Sequence, residues 1–141
     1  MKRLIVVERG KGKGNFSCFA TESVGNYVIA GYGSNSREAL ADAQVAINEY
    51  KDIAAERGEE IPDVEFDIKL DIGAFFDYFP LDVTATARYI GVNPSVLRQY
   101  VTGLREPRQV QIDKIREGIK KLATELEAGL MIDKPTVFYI K

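Results

Sequence analysis

The side chains best suited to chemistry in this chain lie in one short segment, residues 94–103. Four polar residues recur there three and four positions apart, which is the spacing of one face of an α-helix: Ser95, Arg98, Gln99 and Thr102. Arginine can donate two hydrogen bonds to guanine, glutamine can pair with adenine, and a hydroxyl can serve either base. We therefore predict that this face reads base edges in the major groove of DNA.

The sequence around this face predicts the two helices and the short turn that a DNA-binding helix-turn-helix requires. Asp82 is expected to cap a first helix that Gly91 ends, and Asn93 to cap a second helix with Pro94 at its first position. Two helices joined by a short turn with glycine are typical of a helix-turn-helix. Ala87 lies four residues before the glycine, where a larger side chain would separate the two helices. The alternative is a helix pair that only packs.

Residues beyond the recognition helix extend the predicted contact. Arg105 and Arg108 follow it closely and are better placed for phosphates than for bases. The predicted DNA-binding residues are Asn93, Ser95, Arg98, Gln99, Thr102, Arg105 and Arg108. Three lysines of the next helix either touch the DNA backbone or form a solvated face: Lys114, Lys120 and Lys121.

A short apolar helix is expected before this pair, over residues 74–80, and a long helix after it, over residues 110–129. The long helix carries an apolar stripe at helical spacing, which we expect to close a small bundle. Its members are Val110, Ile112, Ile115, Ile119 and Leu122.

The charge distribution divides the chain. Its formal net charge is −2, yet residues 88–121 hold eight Lys and Arg against three Asp and Glu, a local balance of +5. Residues 1–75 hold nine basic against thirteen acidic side chains, a balance of −4. Such asymmetry indicates two modules with different partners.

The composition excludes several classes of site. The chain has no histidine, which removes Ser-His-Asp and Cys-His catalysis and histidine-ligated zinc. Its single cysteine, Cys18, is expected to be a buried strand residue in a protein of the reducing cytoplasm. No apolar run approaches the roughly 20 residues that cross a bilayer. We predict no membrane association, catalytic residue, metal or cofactor.

The first half of the sequence predicts an α+β module in the order β-β-β-α-β. Strands are expected over residues 3–10, 16–21 and 27–33, and a helix capped by Ser36 ends at Gly58. Residues 64–72 alternate apolar and polar, which predicts a strand with one buried and one solvated face. We therefore predict an α+β module over residues 1–72, an all-α helix-turn-helix domain over residues 73–130, and a strand-like tail over residues 131–141.

Two segments resemble one known family. "NFSCFATES" and "NYVIAGYGSNSREALADAQVAI" are similar to the N-terminal domain of HicB antitoxins, which has a truncated, non-catalytic RNase H-like fold. "VTATARYIGVNPSVLRQYVTGLREPRQVQIDKI" resembles the lambda-repressor-like (XRE-type) helix-turn-helix at the C-terminus of one HicB branch. The resemblance covers about residues 3–125.

The resemblance implies a type II toxin–antitoxin system. The partners would be a HicA-like mRNA endonuclease, which the first module covers, and the operon's own operator DNA, bound as a homodimer or higher oligomer. An alternative is a solitary regulator whose first module senses a small ligand or only dimerises. An RNase H-like hydrolase would need several inward-facing carboxylates around a metal. The carboxylates of residues 65–71 alternate outward, so we predict no enzyme.

Overall fold

The computed structural model describes residues 2–10 and 14–130 and has an α+β architecture with a mixed sheet. The described residues form four strands and five helices: β1 (Lys2–Arg9), β2 (Phe16–Ala20), β3 (Ala30–Gly33), α1 (Ser36–Glu56), β4 (Glu65–Leu70), α2 (Ile72–Tyr78), α3 (Val83–Ile90), α4 (Pro94–Thr102) and α5 (Gln109–Gly129). Residues 11–13 and the predicted tail at residues 131–141 lie outside the described residues.

The sheet has the strand order β3-β2-β1-β4. The strand β2 pairs antiparallel with both β1 and β3, so the first three strands form a meander. The last strand, β4, pairs parallel with β1, because α1 carries the chain back across the sheet before β4 begins. The third strand is shorter than predicted and begins only at Ala30.

The first hydrophobic core lies between the sheet and α1. Phe16, Cys18 and Ala20 all face it, as the alternation in this strand predicted. The helix approaches β3 so closely that a Cβ atom added to Gly31 would meet the carbonyl oxygen of Ala39 and lie 2.5 Å from the nitrogen of Ala43. Small residues on both elements therefore permit this packing.

The N-terminus of α1 differs from the prediction. Asn35, not Ser36, is the capping residue, and its side chain accepts a hydrogen bond of 2.8 Å from the backbone N–H of Glu38. Ser36 is instead completely buried, and both its N–H and its hydroxyl donate to the carboxylate of Asp77 in α2. A contact made by a distant residue thus shifts the cap by one position.

The strand β4 lies at an edge of the sheet, and its apolar face is less buried than predicted. Phe66 and Leu70 are half-buried, whereas Ile68 is 46% exposed. The face that was expected to be buried is therefore only partly buried, because β4 has a neighbouring strand on one side only.

A second core joins α2, α3, α4 and α5 around Leu97, which is fully buried. The helix α2 contributes to both cores, with Ala74 in the first and Phe76 in the second. Ile115 of α5 is buried as predicted, but Val110 is 74% exposed, so the stripe begins at the half-buried Ile112. No helix of the described residues is long and apolar enough to span a membrane.

Candidate nucleic-acid interface

The helices α3 and α4 are joined by the short turn that the sequence predicted. The side chain of Asp82 accepts a hydrogen bond of 2.7 Å from the N–H of Ala85 and so caps α3. Gly91 ends α3 in the left-handed conformation, at φ 78°. The N–H of Val92 then donates to the carbonyl of Ala87, which is itself fully buried between the helices. Gly91 is required here because its φ is one that residues with a side chain rarely adopt.

The second helix of the pair, α4, has one buried and one exposed face. Leu97, Tyr100 and Val101 are buried in the second core. The opposite side carries the predicted recognition residues: Ser95, Arg98 and Thr102 are exposed and Gln99 is half-exposed. The structure therefore brings these four side chains to one face, as their spacing predicted.

Asn93 begins α4 and caps it. Its side-chain oxygen accepts from the N–H groups of Ser95, at 2.9 Å, and of Val96, at 3.3 Å. That oxygen is therefore occupied, and the side-chain NH₂ is the part of Asn93 that remains available to a ligand.

Arg98 is held in place by two hydroxyl groups. One terminal nitrogen of its guanidinium donates to Thr84 of α3 at 2.8 Å, and the other donates to Ser95 at 3.1 Å. Thr84 was not among the residues predicted for this face. A helical projection of α4 alone cannot show it, because Thr84 belongs to the other helix of the pair.

Arg105 and Arg108 lie in the loop between α4 and α5. The N–H of Arg105 donates to the carbonyl of Gln99 at 3.2 Å, so the backbone of this loop is fixed to the recognition helix. Arg108 occupies the position just before α5, and its carbonyl accepts from the N–H of Ile112 at 3.0 Å. Both side chains are exposed.

The long helix α5 is fixed to the pair by polar contacts. Lys114 donates to the carbonyl of Gly91 at 3.0 Å, which satisfies a backbone group at the end of α3. The hydroxyl of Tyr89 donates to the carboxylate of Glu125, and this bond raises the pKa of Tyr89. Both contacts hold α5 against α3.

No carboxylate in the described part of the chain forms an ion pair with the cations of this region. Within the described ranges, the two ion pairs closer than 4.0 Å are Arg3–Glu22 and Lys51–Asp63, and both lie in residues 1–72. The guanidinium groups of Arg98, Arg105 and Arg108 therefore remain open to an anionic partner. Across residues 2–10 and 14–130, no group of three or more Cys, Asp or Glu side chains could hold a metal ion.

Comparisons with known proteins bring no further information to this surface. The chain matches no family model, no curated protein and no solved structure.

Proposed function

We propose that this protein is a non-enzymatic, HicB-like antitoxin that neutralises a HicA-like mRNA endonuclease and represses its own operon by sequence-specific DNA binding. Residues 1–72, the first module, bind the toxin, and residues 73–130, the second module, act as a lambda-repressor-like helix-turn-helix. The observation that supports the DNA-binding part of the proposal is the exposed polar face of α4. On this face the guanidinium of Arg98 is held by hydrogen bonds to Ser95 of α4 and to Thr84 of α3.

In this proposal α4 lies in the major groove. The guanidinium of Arg98 pairs with a guanine and the amide of Gln99 pairs with an adenine, because each side chain presents the donor and acceptor pattern that matches that base. Arg105 and Arg108 bind backbone phosphates and set the register of the helix on the duplex. Two copies of the chain would bind half-sites about one helical turn apart.

Charge supports a different partner for the first module. Residues 1–75 have a balance of −4, and the outward carboxylates of β4, Glu65 and Asp67, are exposed. An RNA-cleaving toxin needs a basic surface for its substrate, and complementary charge would speed its encounter with this module and cover that surface. In this proposal the sheet with α1 packed on one face is a truncated RNase H-like fold that serves as a binding scaffold.

The toxin partnership is tested by co-expression of the protein with the reading frames that flank its gene, followed by affinity purification. We expect a small, basic, histidine-containing protein that inhibits growth when it is expressed alone. Recovery of a growth-inhibiting protein only when the first module is present would support the assignment. Failure of every flanking product to co-purify would refute the toxin partnership. The proposed DNA binding would stand, because it is tested by separate experiments.

A solitary ligand-responsive regulator is the second candidate, and one observation favours it. A cavity of about 300 Å³ opens beside α1, with Ile47, Tyr50 and Phe66 in its walls. Tyr27, which also lines it, stacks on Tyr50 at 4.8 Å and has a buried hydroxyl with no hydrogen-bond partner among the described residues. A ligand of this size would fill an apolar space that has polar groups at its wall.

Purification distinguishes the two candidates. A lone DNA-binding oligomer whose operator affinity changes with a small molecule, and which recovers no protein partner, favours the solitary regulator. Substituting Ile47→Trp, which fills the cavity, should abolish that response in a solitary regulator and leave toxin binding unchanged in an antitoxin.

A further inference from the structure

A cleft of about 640 Å³ lies where the two modules meet, and three arginines from three different elements line it. Arg9 comes from the end of β1, Arg105 from the loop after α4, and Arg116 from α5. The topology thus collects cations from both modules into one concave surface.

Among the described residues, none of these three side chains has an acidic partner. No carboxylate of the described residues lies within 4.0 Å of a guanidinium nitrogen of Arg9, Arg105 or Arg116, since the ion pairs found involve other residues. The Nε atom of Arg9 is also buried, and it has no hydrogen-bond partner among the described residues. Native proteins rarely leave a buried charged donor unpaired, so an acceptor supplied by a partner would suit the Nε group of Arg9.

Two carboxylates also line the cleft, and they do not cancel the arginines. Asp71 caps α2 by accepting from the N–H of Ala74 at 2.8 Å and also accepts from the backbone N–H of Arg9 at 3.1 Å. Its oxygens are therefore bound to backbone groups. Glu106 is exposed and forms no ion pair with any other described residue.

The backbone holds Arg9 in this position. A Cβ atom added to Gly73 would lie 2.8 Å from the Cβ and Cδ atoms of Arg9 and 2.8 Å from the carbonyl oxygen of Val101. The arginine side chain therefore lies against the start of α2 at the place where α2 meets α4. The ring of Phe16 covers its guanidinium from another side, with 5.4 Å from the ring centroid to Cζ.

We propose that this cleft binds a phosphate of the DNA backbone, so that the DNA footprint extends from the helix-turn-helix onto the first module. The inference rests on the proposed DNA binding and adds Arg9 and Arg116 to the contact. Planar guanidinium groups match the geometry of phosphate oxygens and keep their charge at any physiological pH. A DNA phosphate fits better than a free one, because the backbone of Arg105 is hydrogen-bonded to Gln99 of the recognition helix, 3.2 Å away. The cleft therefore adjoins the predicted recognition face.

The test uses the full-length protein and a duplex that the wild-type protein has selected from a random-sequence pool. Dissociation constants are measured over a series of KCl concentrations for Arg9→Gln, Arg116→Gln and the double variant. Each lost phosphate contact should reduce the slope of log Kd against log salt by roughly 0.9 and weaken binding to selected and random duplexes alike. Arg57→Gln is the matched control, because Arg57 ends α1 at the helix terminus away from α2 and its side chain forms no ion pair with the described residues.

Charge-conserving variants show whether a changed salt slope comes from the lost charge or from a loss of folding. Arg9→Lys and Arg116→Lys should keep most of the wild-type slope, and the thermal midpoints of all variants should stay close to that of the wild-type protein. If both Gln variants keep the full slope while the wild-type protein binds DNA, the inference is wrong and the proposed function stands. If the wild-type protein binds no duplex, both this inference and the proposed DNA binding are wrong.

A separate arm distinguishes the source of the phosphate. Inorganic phosphate is titrated into the wild-type protein and the double Gln variant, and the arginine Nε resonances are followed by NMR. Saturable binding of millimolar or tighter affinity at Arg9, together with an unchanged DNA salt slope in the variants, would assign the cleft to a free phosphorylated ligand and overturn the DNA assignment.

Discussion

The guanidinium of Arg98 donates to the hydroxyl of Thr84 across the turn, at 2.8 Å. This bond joins the two helices α3 and α4 through the side chain that we expect to read a base. A second hydrogen bond, to the hydroxyl of Ser95, fixes the other terminal nitrogen of the guanidinium. A long side chain that is already ordered loses less conformational entropy when it binds, so this arrangement favours tight and specific recognition.

Replacing Arg98 with alanine should cost about 1–3 kcal/mol of binding free energy, confined to one base-pair position of the operator. Binding to duplexes altered at that position should be unaffected by the substitution, because the contact is already lost there. Fluorescence anisotropy with a set of single-position operator variants measures both quantities. An equal loss on every sequence would show that Arg98 binds phosphate instead.

Replacing Thr84 with valine tests the anchoring of Arg98 separately. The substitution keeps the size of the side chain and removes its hydroxyl, so we expect about 0.5–1.5 kcal/mol weaker operator binding with the same base preference. Thr124→Val is the matched control, because the Thr124 hydroxyl bonds only the Lys120 carbonyl on the exposed side of α5. Equal effects of the two substitutions would argue against a special role for Thr84.

Replacing Arg105 with alanine should weaken binding to all duplexes by a similar factor. The predicted contact is to a phosphate, so the slope of log Kd against log salt should fall by roughly 0.9. Titrations at four or more KCl concentrations give this slope. A change confined to one operator position, with the slope unchanged, would contradict the phosphate assignment.

Replacing Gly31 with alanine should destabilise the first module by about 1–3 kcal/mol or more, because the added methyl group meets the backbone of α1. Urea unfolding followed by circular dichroism measures the loss. Gly129→Ala is the control, since Gly129 has no atom of another described residue within 4 Å of an added Cβ, and it should leave the free energy of unfolding unchanged or slightly higher. Equal stability of the two variants would contradict the close packing of α1 on β3.

Cys18 should be unreactive in the folded protein. Its side chain is 1% exposed, and burial first, then the charge of Asp42, raises the pKa of the thiol. The neutral thiol is therefore favoured in the folded state. Its contribution to stability is fully present below the unfolded thiol pKa, about 8.5, and is lost as the pH rises through the folded value.

Two measurements check this prediction for Cys18. A disulfide reagent should label the thiol only after denaturant is added. Between pH 8 and pH 10 the wild-type protein should also lose more stability than Cys18→Ala, since the difference between the two proteins isolates the thiol from lysine and tyrosine. Rapid labelling of the native protein, or identical pH dependence of the two proteins, would contradict the prediction.

Local signals in the sequence predicted the parts of the site that depend on neighbouring residues. Asp82 and Asn93 cap α3 and α4, and Gly91 and Gly103 end them with positive φ, because each role is decided within four residues. The single polar face of α4 follows from the helical repeat in the same way.

Contacts between distant residues were not predictable. Ser36 was expected to cap α1, but Asp77, which follows it by 41 residues, binds it in the core and leaves the cap to Asn35. Ile68 was expected to be buried, yet the sheet order places β4 at an edge. Thr84 bonds Arg98 only because α3 and α4 cross, and the crossing angle cannot be read from either helix alone.

Sequence-specific DNA binding by α4 can be measured by selecting duplexes from a random-sequence pool. The wild-type protein should enrich one sequence with two related half-sites about one helical turn apart. Arg98→Ala should lose the preference at one position in each half-site. Enrichment of no sequence, or an identical enriched sequence for Arg98→Ala, would contradict base reading by α4.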